Sequence, residues 1–163
     1  MSICYVGLGS NLGDSVAYLD SAIESLQAHQ NIKNITVSRF YCSKPHGPQN
    51  QPDYINAVAQ FETIIEPHAL LVTLQKIENN NNRQRDGERW GARTLDIDLL
   101  LYGNIIIDTE TLTVPHPWMR ERSFVLYPLQ ELTPNLIFPD GVALDECVLK
   151  LPADDLQLIS RGK

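Results

Sequence analysis

The chain has 163 residues, of which 43% are hydrophobic and 20% charged, and its 13 basic and 20 acidic side chains give a net charge of -7. This length favours one domain with one hydrophobic core. The negative charge disfavours nonspecific binding to nucleic acid or anionic lipid, and no stretch approaches the roughly 20 apolar residues of a membrane span.

Features at the start of the chain and the cysteine pattern indicate a cytoplasmic protein. The apolar run at residues 1–9 lacks a basic leader and is broken by two glycines, so we expect no signal peptide. Cys4, Cys42 and Cys147 show no metal-type spacing and are expected to be free thiols in a reducing compartment. We also expect no obligate protein partner.

The first half of the chain predicts a strand, a helix and two further strands. The apolar residues 3–9 form the first strand, and Asp14 caps a helix that runs to about Gln30. Residues 36–41 and 54–63 are rich in β-branched and aromatic side chains, which favours strands. The long turn-rich loop between them, residues 43–52, is typical of a functional segment.

The second half predicts a helix and the clearest strand of the chain. A helix begins near Pro67, and a glycine-containing loop at residues 83–94 leads to a strand at 95–102, followed by a hairpin around Gly103. Residues 124–132 are expected to be helical. The order strand, helix, two strands, helix, strand predicts a ferredoxin-like α+β sandwich, with a mainly antiparallel sheet, helices packed on it and long active-site loops, as a single domain over residues 1–163.

Two acidic side chains in the last predicted strand are the main candidates for chemistry. The two-residue period of a strand places Asp96 and Asp98 on one face and Leu95, Ile97, Leu99 and Leu101 on the other. Paired hard oxygen ligands suit Mg²⁺, which completes its shell with waters and substrate phosphates. The alternative is an exposed strand face whose charge nearby arginines neutralise.

Basic side chains before this strand favour the metal interpretation. The cluster consists of Lys76, Arg83, Arg85, Arg89 and Arg93. Arginine binds phosphate oxygens bidentately, so cations beside a carboxylate pair suit a triphosphate. Trp90 in this polar loop is expected to cover a ligand. The glycine cluster Gly7-x-Gly9-Ser10-Asn11-x-Gly13 lacks the lysine and the spacing of a Walker phosphate loop and is more typical of a tight strand-to-helix turn. His116 is equally compatible with a nucleotide contact and an ordinary loop position.

Four motifs together closely resemble the 6-hydroxymethyl-7,8-dihydropterin pyrophosphokinases of folate biosynthesis. They are Gly7-Leu8-Gly9-Ser10-Asn11-Leu12-Gly13-Asp14, Gly47-Pro48-Gln49-x-Gln51-Pro52-x-Tyr54-x-Asn56-Ala57-Val58, Glu88-Arg89-Trp90-Gly91-x-Arg93-Thr94-Leu95-Asp96-Ile97-Asp98 and Val114-Pro115-His116-Pro117. The resemblance runs from the first strand to about Gly141. It implies an enzyme that transfers pyrophosphate from ATP to the hydroxymethyl group of the pterin and releases AMP.

The resemblance also implies roles for individual residues. Two Mg²⁺ ions, bound with ATP, would be held by Asp96 and Asp98, and the catalytic set would be Arg83, Arg93, Asp96 and Asp98. The ATP-binding set would be Gln75, Glu78, Arg85, Arg89, Trp90, Leu99, Thr113, His116 and Arg122. The pterin-binding set would be Ser43, Pro45, His46, Gly47, Tyr54, Asn56, Trp90 and Phe124, with Tyr54 and Phe124 on either side of the flat ring. Whether Asp98 also accepts the substrate's proton stays open.

Three departures from the family pattern bear on these expectations. Asp86 stands where some relatives have a lysine, Ala92 replaces a proline before Arg93, and Lys44 and His46 occupy positions that are often apolar or proline. We expect a more flexible closing loop and a more polar pterin rim. The rival hypotheses are a nonenzymatic ferredoxin-like small-molecule-binding domain, and a nucleotide hydrolase or an ordinary kinase that transfers the γ-phosphate.

Overall fold

The computed structural model describes residues 1–44, 52–81, 94–151 and 156–159. The strands are β1 (Ser2–Ser10), β2 (Ile32–Val37), β3 (Tyr41–Ser43), β4 (Tyr54–Thr63), β5 (Asp96–Tyr102), β6 (Ile107–Asp108), β7 (Thr113–Val114) and β8 (Gln157–Leu158). The helices are α1 (Ser15–Ala28), α2 (Pro67–Asn80), α3 (Ser123–Leu132) and α4 (Leu144–Val148), with a 3-10 turn at Met119–Glu121. None of these helices is long and apolar enough to cross a membrane.

The main sheet has the strand order expected for a ferredoxin-like fold. Its strands run in the order β5, β1, β4, β3, β8, and β2 also pairs with β4. Every pairing between these strands is antiparallel. The fold class predicted from the sequence is therefore confirmed.

Two hydrophobic clusters cover the two faces of the sheet. The first contains Val6, Leu8 and Ile97 and packs against the buried stripes of α1 and α2. The second contains Val58 and Leu126 and packs under α3 and α4. The side chains of β1 alternate between the clusters, with Val6 and Leu8 in the first and Tyr5 in the second. The candidate site lies on the second face, beside α3.

One predicted strand is two strands with a break between them. Residues 36–41 were expected to be continuous, whereas the backbone leaves the ladder between β2 and β3. At the break, the Ser38 hydroxyl accepts the N–H of Val58 at 3.0 Å and donates to the Arg39 carbonyl at 2.8 Å. The Ser38 hydroxyl thus takes the place of a backbone carbonyl, and the Val58 N–H keeps a hydrogen-bond acceptor where the strand is interrupted.

The turn at Gly103 is present, but the paired hairpin lies farther along the chain. Gly103 has a φ of 54°, and its N–H donates to the Ile3 carbonyl at 2.7 Å. The two strands that pair are β6 and β7, joined through residues 109–112. The expected hairpin around Gly103 is therefore corrected to a turn followed by a short β6–β7 ribbon.

Candidate active site

Both acidic side chains of β5 lie on one face of the sheet. Asp96 pairs in register with Gly9 and Asp98 with Gly7, and paired residues of antiparallel strands project to the same side. Asp98 is exposed and Asp96 is partly buried. Ile97, between them, is buried in the first cluster on the opposite face. Asp96 and Asp98 therefore lie on one face of β5 and Ile97 on the other, as the sequence predicted.

The alternation of β5 changes after the aspartates. The register between β1 and β5 shifts between Tyr5 and Val6, which pair with Leu101 and Leu99. Leu100 is the extra residue of this bulge, and Leu100 and Leu101 both belong to the second cluster. The expectation that Leu101 shares a face with Leu95 is therefore wrong. The bulge supplies an apolar floor next to the acidic pair.

Three paired residues form a row across the sheet, from Asp96 of the acidic pair to the buried amide of Asn56. Asp96 pairs with Gly9, and Gly9 pairs with Asn56 on β4. Two strand spacings separate the Asp96 and Asn56 backbones by about 10 Å. Because glycine has no side chain, the row has a shallow shelf at its centre. A Cβ added to Gly9 would lie 3.5 Å from Asn56 Oδ1 and 3.8 Å from Tyr54 Cδ1.

The Asn56 amide has a defined orientation. Its Nδ2 donates to the Ser43 hydroxyl at 2.8 Å, and both residues are buried. The Asn56 Oδ1 lies on the Gly9 side of the amide, because it is the side-chain atom that a Cβ at Gly9 would approach most closely. An acceptor fixed at the edge of a shelf suits a ligand that presents N–H donors in its plane.

The acidic pair fits a magnesium ion that shares its ligands with a substrate. In the described part of the chain, no group of three or more His, Cys, Asp or Glu side chains could hold a metal. Asp96 and Asp98 thus offer two carboxylates, and waters and phosphate oxygens would complete an octahedral shell. This donor set is typical of Mg²⁺ bound together with a nucleotide.

His116 lies near the acidic pair and has a defined acceptor nitrogen. Its backbone N–H donates to the Leu100 carbonyl at 2.9 Å, which fixes the loop after β7 to the edge of β5. The Trp118 N–H donates to His116 Nδ1 at 3.2 Å, so a neutral ring carries its proton on Nε2. Burial lowers the pKa of His116, the Asp98 carboxylate acts to raise it, and Arg122 acts to lower it.

Two aromatic candidates lie on the same face as the shelf. Tyr54 is two residues from Asn56 on β4, and Phe124 is partly buried against the second cluster. The guanidinium of Arg122 lies over the Phe124 ring, 5.7 Å from its centroid. This places a cation, an aromatic ring and His116 around one end of α3.

The other predicted ATP-binding residues that the structure describes differ in how exposed their side chains are. Gln75 is exposed on α2, whereas Glu78 is 6% exposed and its Oε2 accepts the Ile97 N–H at 2.7 Å. Leu99 packs in the first cluster, so only its backbone is available to a nucleotide. Thr113 is partly buried on β7, whose partner strand is β6.

Several predicted site residues lie outside the described residues. They are Arg83, Arg93, Arg85, Arg89, Trp90, Pro45, His46 and Gly47, together with Asp86 and Ala92. Their proposed roles stay predictions from the sequence. The described parts of the site are β1, the starts of β4 and β5, the loop at 115–118 and the start of α3.

Sequence reasoning missed three features of this site. It treated Gly9 as part of a tight turn, did not anticipate the Ser43–Asn56 hydrogen bond, and assigned Glu78 to the nucleotide alone. Gly9 lies between Asp96 and Asn56 because of the register of three neighbouring strands. The spacing of residues within one strand carries no information about that register. The alternation of β1 was the available signal, since it placed Gly7 and Gly9 on the face opposite Val6 and Leu8.

A cavity in the described part of the chain lies apart from the acidic pair. It has a volume of about 450 Å³ and lies between α3, β3 and β8, with Tyr41, Tyr127 and Leu158 in its lining. Its polar groups bind one another, because Glu131 accepts hydrogen bonds from the Arg39 guanidinium and the Tyr41 hydroxyl. None of the described residues that line this cavity belongs to the row Asp96–Gly9–Asn56.

Comparison with known proteins identifies a matching family model and several similar relatives. A family model described as 7,8-dihydro-6-hydroxymethylpterin-pyrophosphokinase matches residues 5–134. A Haemophilus influenzae protein named 2-amino-4-hydroxy-6-hydroxymethyldihydropteridine pyrophosphokinase is 49% identical over 148 residues, which cover 91% of this chain and 92% of that protein. A Bacillus subtilis protein of the same name is 43% identical over 131 residues, with coverage of 80% and 78%.

Solved structures share the fold at low sequence identity. A Plasmodium falciparum HPPK-DHPS structure with pterin and p-hydroxybenzoate superposes with a TM-score of 0.74 at 13% identity. The match covers 97% of this chain and 45% of that chain. The chain therefore spans less than half of that two-part protein, and the likeness concerns the fold alone.

Proposed function

Because the chain belongs to the 7,8-dihydro-6-hydroxymethylpterin pyrophosphokinase family, we propose that it transfers pyrophosphate from ATP to the hydroxymethyl group of 6-hydroxymethyl-7,8-dihydropterin. The products are AMP and the pterin pyrophosphate, and the reaction is a step of tetrahydrofolate biosynthesis. The catalytic unit is a single domain over residues 1–163.

The row Asp96–Gly9–Asn56 is the observation that carries this proposal. It places an acidic pair suited to Mg²⁺ and a buried, oriented amide on the same face of the sheet, with a glycine between them. A nucleotide's phosphates belong at the acidic end and a flat polar heterocycle at the amide end. The separation of about 10 Å between the two backbones suits a hydroxymethyl arm that reaches toward the phosphates.

The pterin is bound by the amide end of the shelf. Asn56 Oδ1 accepts an N–H of the ring, and Ser43 keeps the amide in that orientation. Tyr54 and Phe124 supply aromatic faces for stacking, which is favourable for a small polar ring. Pro45, His46, Gly47 and Trp90 belong to the same proposed contact set, on the basis of the sequence motifs.

The triphosphate is bound by the acidic and cationic end. Asp96 and Asp98 would hold two Mg²⁺ ions, whose chemistry there would be neutralisation of the phosphate charge. His116 presents Nε2–H as a donor to a phosphate oxygen, and Arg122 adds positive charge beside Phe124. Arg83 and Arg93 are assigned to the transferring phosphates, and Gln75, Arg85, Arg89, Leu99 and Thr113 to the remainder of ATP.

Positioning accounts for the transfer without a covalent enzyme intermediate. The pterin hydroxyl, held at the shelf, attacks the β-phosphorus of ATP, the bond from that phosphorus to the α-phosphate oxygen breaks, and AMP leaves. Asp98 either accepts the hydroxyl proton or acts only as a metal ligand. We place the enzyme in the cytoplasm, where ATP and Mg²⁺ are abundant and free thiols persist.

Product analysis separates this function from its rivals. The protein is incubated with ATP, Mg²⁺ and the hydroxymethyl dihydropterin, and nucleotides and pterins are quantified by chromatography. AMP and pterin pyrophosphate should appear in equal amounts, and only when pterin is present. ADP as the product would identify a γ-phosphate kinase, pterin-independent release of AMP or phosphate a hydrolase, and binding without turnover a nonenzymatic domain.

A further inference from the structure

A buried carboxylate on α2 contacts the backbone between the two acidic residues of β5. Glu78 is 6% exposed, and its Oε2 accepts the N–H of Ile97 at 2.7 Å. Ile97 lies between Asp96 and Asp98. This distance is at the short end of the range for a hydrogen bond to a charged acceptor.

The position of β5 in the sheet explains why such a contact matters. Among the strands that the structure describes, β5 is the end strand of the main sheet and pairs only with β1. The outer edge of such a strand has N–H and C=O groups without a neighbouring strand, and on β5 the Leu100 carbonyl accepts the His116 N–H. Glu78 supplies an acceptor for one of these N–H groups, at the point where the acidic pair is attached.

Glu78 acts from the layer opposite the acidic side chains. Its neighbours on α2, Leu74 and Ile77, belong to the first cluster, as does Ile97. Asp96 and Asp98 project from the other face of the sheet. Among the described residues no three acidic, histidine or cysteine side chains form a possible metal site, so Glu78 is not grouped with the pair as a third ligand.

A buried carboxylate at this position lowers the stability of the fold, which indicates that Glu78 has a role other than packing. Removing a carboxylate from water is unfavourable unless strong hydrogen bonds compensate. A leucine at this position would extend the apolar stripe of α2 without that cost. Packing alone therefore does not account for Glu78.

We propose that Glu78 is a positioning residue, which clamps the Ile97 peptide so that the Asp96 and Asp98 carboxylates keep the spacing and direction needed to share Mg²⁺ with ATP. This inference rests on the proposed function for the identity of the nucleotide. It differs from the expectation that Glu78 contacts ATP, because the clamp acts through the backbone of β5. Partners that orient ligands of a metal typically change metal affinity or activity about 10–100-fold when they are lost.

Three substitutions separate the hydrogen bond from the charge. Glu78→Gln keeps an acceptor at the same reach and removes the charge, whereas Glu78→Asp keeps the charge and withdraws the acceptor by one methylene. Glu78→Leu removes both. The readouts are Mn²⁺ binding with a nonhydrolysable ATP analogue, measured by electron paramagnetic resonance, and hydrogen exchange of the Ile97 amide.

We expect Glu78→Asp and Glu78→Leu to weaken Mn²⁺ binding at least about 10-fold and to speed exchange at Ile97, with Glu78→Gln recovering most of both losses. Equal damage in Glu78→Gln and Glu78→Asp would overturn the clamp. Unchanged Mn²⁺ affinity in folded Glu78→Asp would overturn it as well. Product analysis of the unmodified enzyme tests the proposed function separately, and Ile97 exchange reports the clamp even if that function fails.

Discussion

The Ser43 hydroxyl determines what the Asn56 amide can offer a ligand. Asn and Gln amides have a donor and an acceptor end, and a fixed partner on one end defines the other. Here the donor end is committed to Ser43, so the acceptor end faces the shelf. The sequence motif identified Asn56, but the orientation of its amide depends on a contact between two strands.

Ser43→Ala tests this orientation. Loss of the acceptor leaves the buried Asn56 N–H group unsatisfied, which costs about 1–3 kcal/mol of stability and frees the amide to rotate. We expect the pterin KM to rise about 10-fold, which corresponds to a loss of about 1.4 kcal/mol of binding free energy. The ATP KM should change little. Ser43→Thr, which keeps the hydroxyl, is the matched control. An unchanged pterin KM in Ser43→Ala would show that the orientation is immaterial.

Asp98→Ala tests the acidic pair. The side chain is exposed, so the variant should keep its thermal unfolding temperature, whereas turnover should fall at least about 100-fold, the equivalent of roughly 3 kcal/mol of lost charge stabilisation. Steady-state kinetics over a range of Mg²⁺ concentrations measures the loss. Asp108→Ala, another exposed aspartate, on β6, is the control. Turnover with ordinary Mg²⁺ dependence in Asp98→Ala would refute its assignment as a metal ligand.

At the scale of elements, the site depends on the register of β1 between β4 and β5. The elements that carry strong periodicity, α1, α2 and the start of β5, were predictable because each shows its buried face within its own residues. The break between β2 and β3 and the bulge at Leu100 were not, because both are set by pairing with another strand. The bulge moves Leu101 to the other face, which alternation alone cannot predict.

Gly9→Val tests the shelf between the acidic pair and the amide. A valine is compatible with a strand, but its methyl groups would occupy the space beside Asn56 Oδ1 and Tyr54 Cδ1. We expect the circular dichroism spectrum of the folded parent and a loss of pterin turnover of more than about 10-fold. A steric penalty of about 1.4 kcal/mol on pterin binding already weakens that binding tenfold. Gly9→Ala should give a smaller loss. Full activity in folded Gly9→Val would exclude the shelf as the pterin position.

For the molecule as a whole, α3 is tied to the sheet by a polar cluster as well as by the second hydrophobic cluster. Glu131 on α3 accepts hydrogen bonds from the Arg39 N–H at 2.9 Å and the Arg39 Nε at 3.2 Å, and from the Tyr41 hydroxyl. These contacts join residues 90 or more positions apart, beyond the reach of local patterns. The composition and the order of elements predicted the fold, but not how α3 is held beside the site.

Glu131→Gln tests this connection through its pH dependence. Partial burial acts to raise the pKa of Glu131, but hydrogen bonds from Tyr41 and Arg39 outweigh it and hold the pKa below its ordinary value. A lowered pKa in the folded state means that the carboxylate stabilises the fold above its unfolded pKa and loses that contribution as pH falls through the folded pKa. Burial, followed by the contact with Glu131, raises the pKa of Tyr41 to about 12, so the phenol stays a donor throughout.

We therefore expect Glu131→Gln to unfold at a lower denaturant concentration than the parent at pH 7, with the difference shrinking under acid conditions. Urea unfolding at a series of pH values measures it. Glu121→Gln, which changes an exposed carboxylate next to α3, provides the control. A difference that stays constant with pH would show that Glu131 acts through packing alone.

Transfer of the two phosphoryl groups as one unit is the central claim. ATP labelled separately at the β- and γ-phosphates is supplied with Mg²⁺ and the hydroxymethyl dihydropterin, and label in the pterin product is counted. Pyrophosphate transfer predicts that both labels enter the product in equal amounts, with unlabelled AMP as the other product. Label from the γ-phosphate alone, with ADP released, would contradict the account.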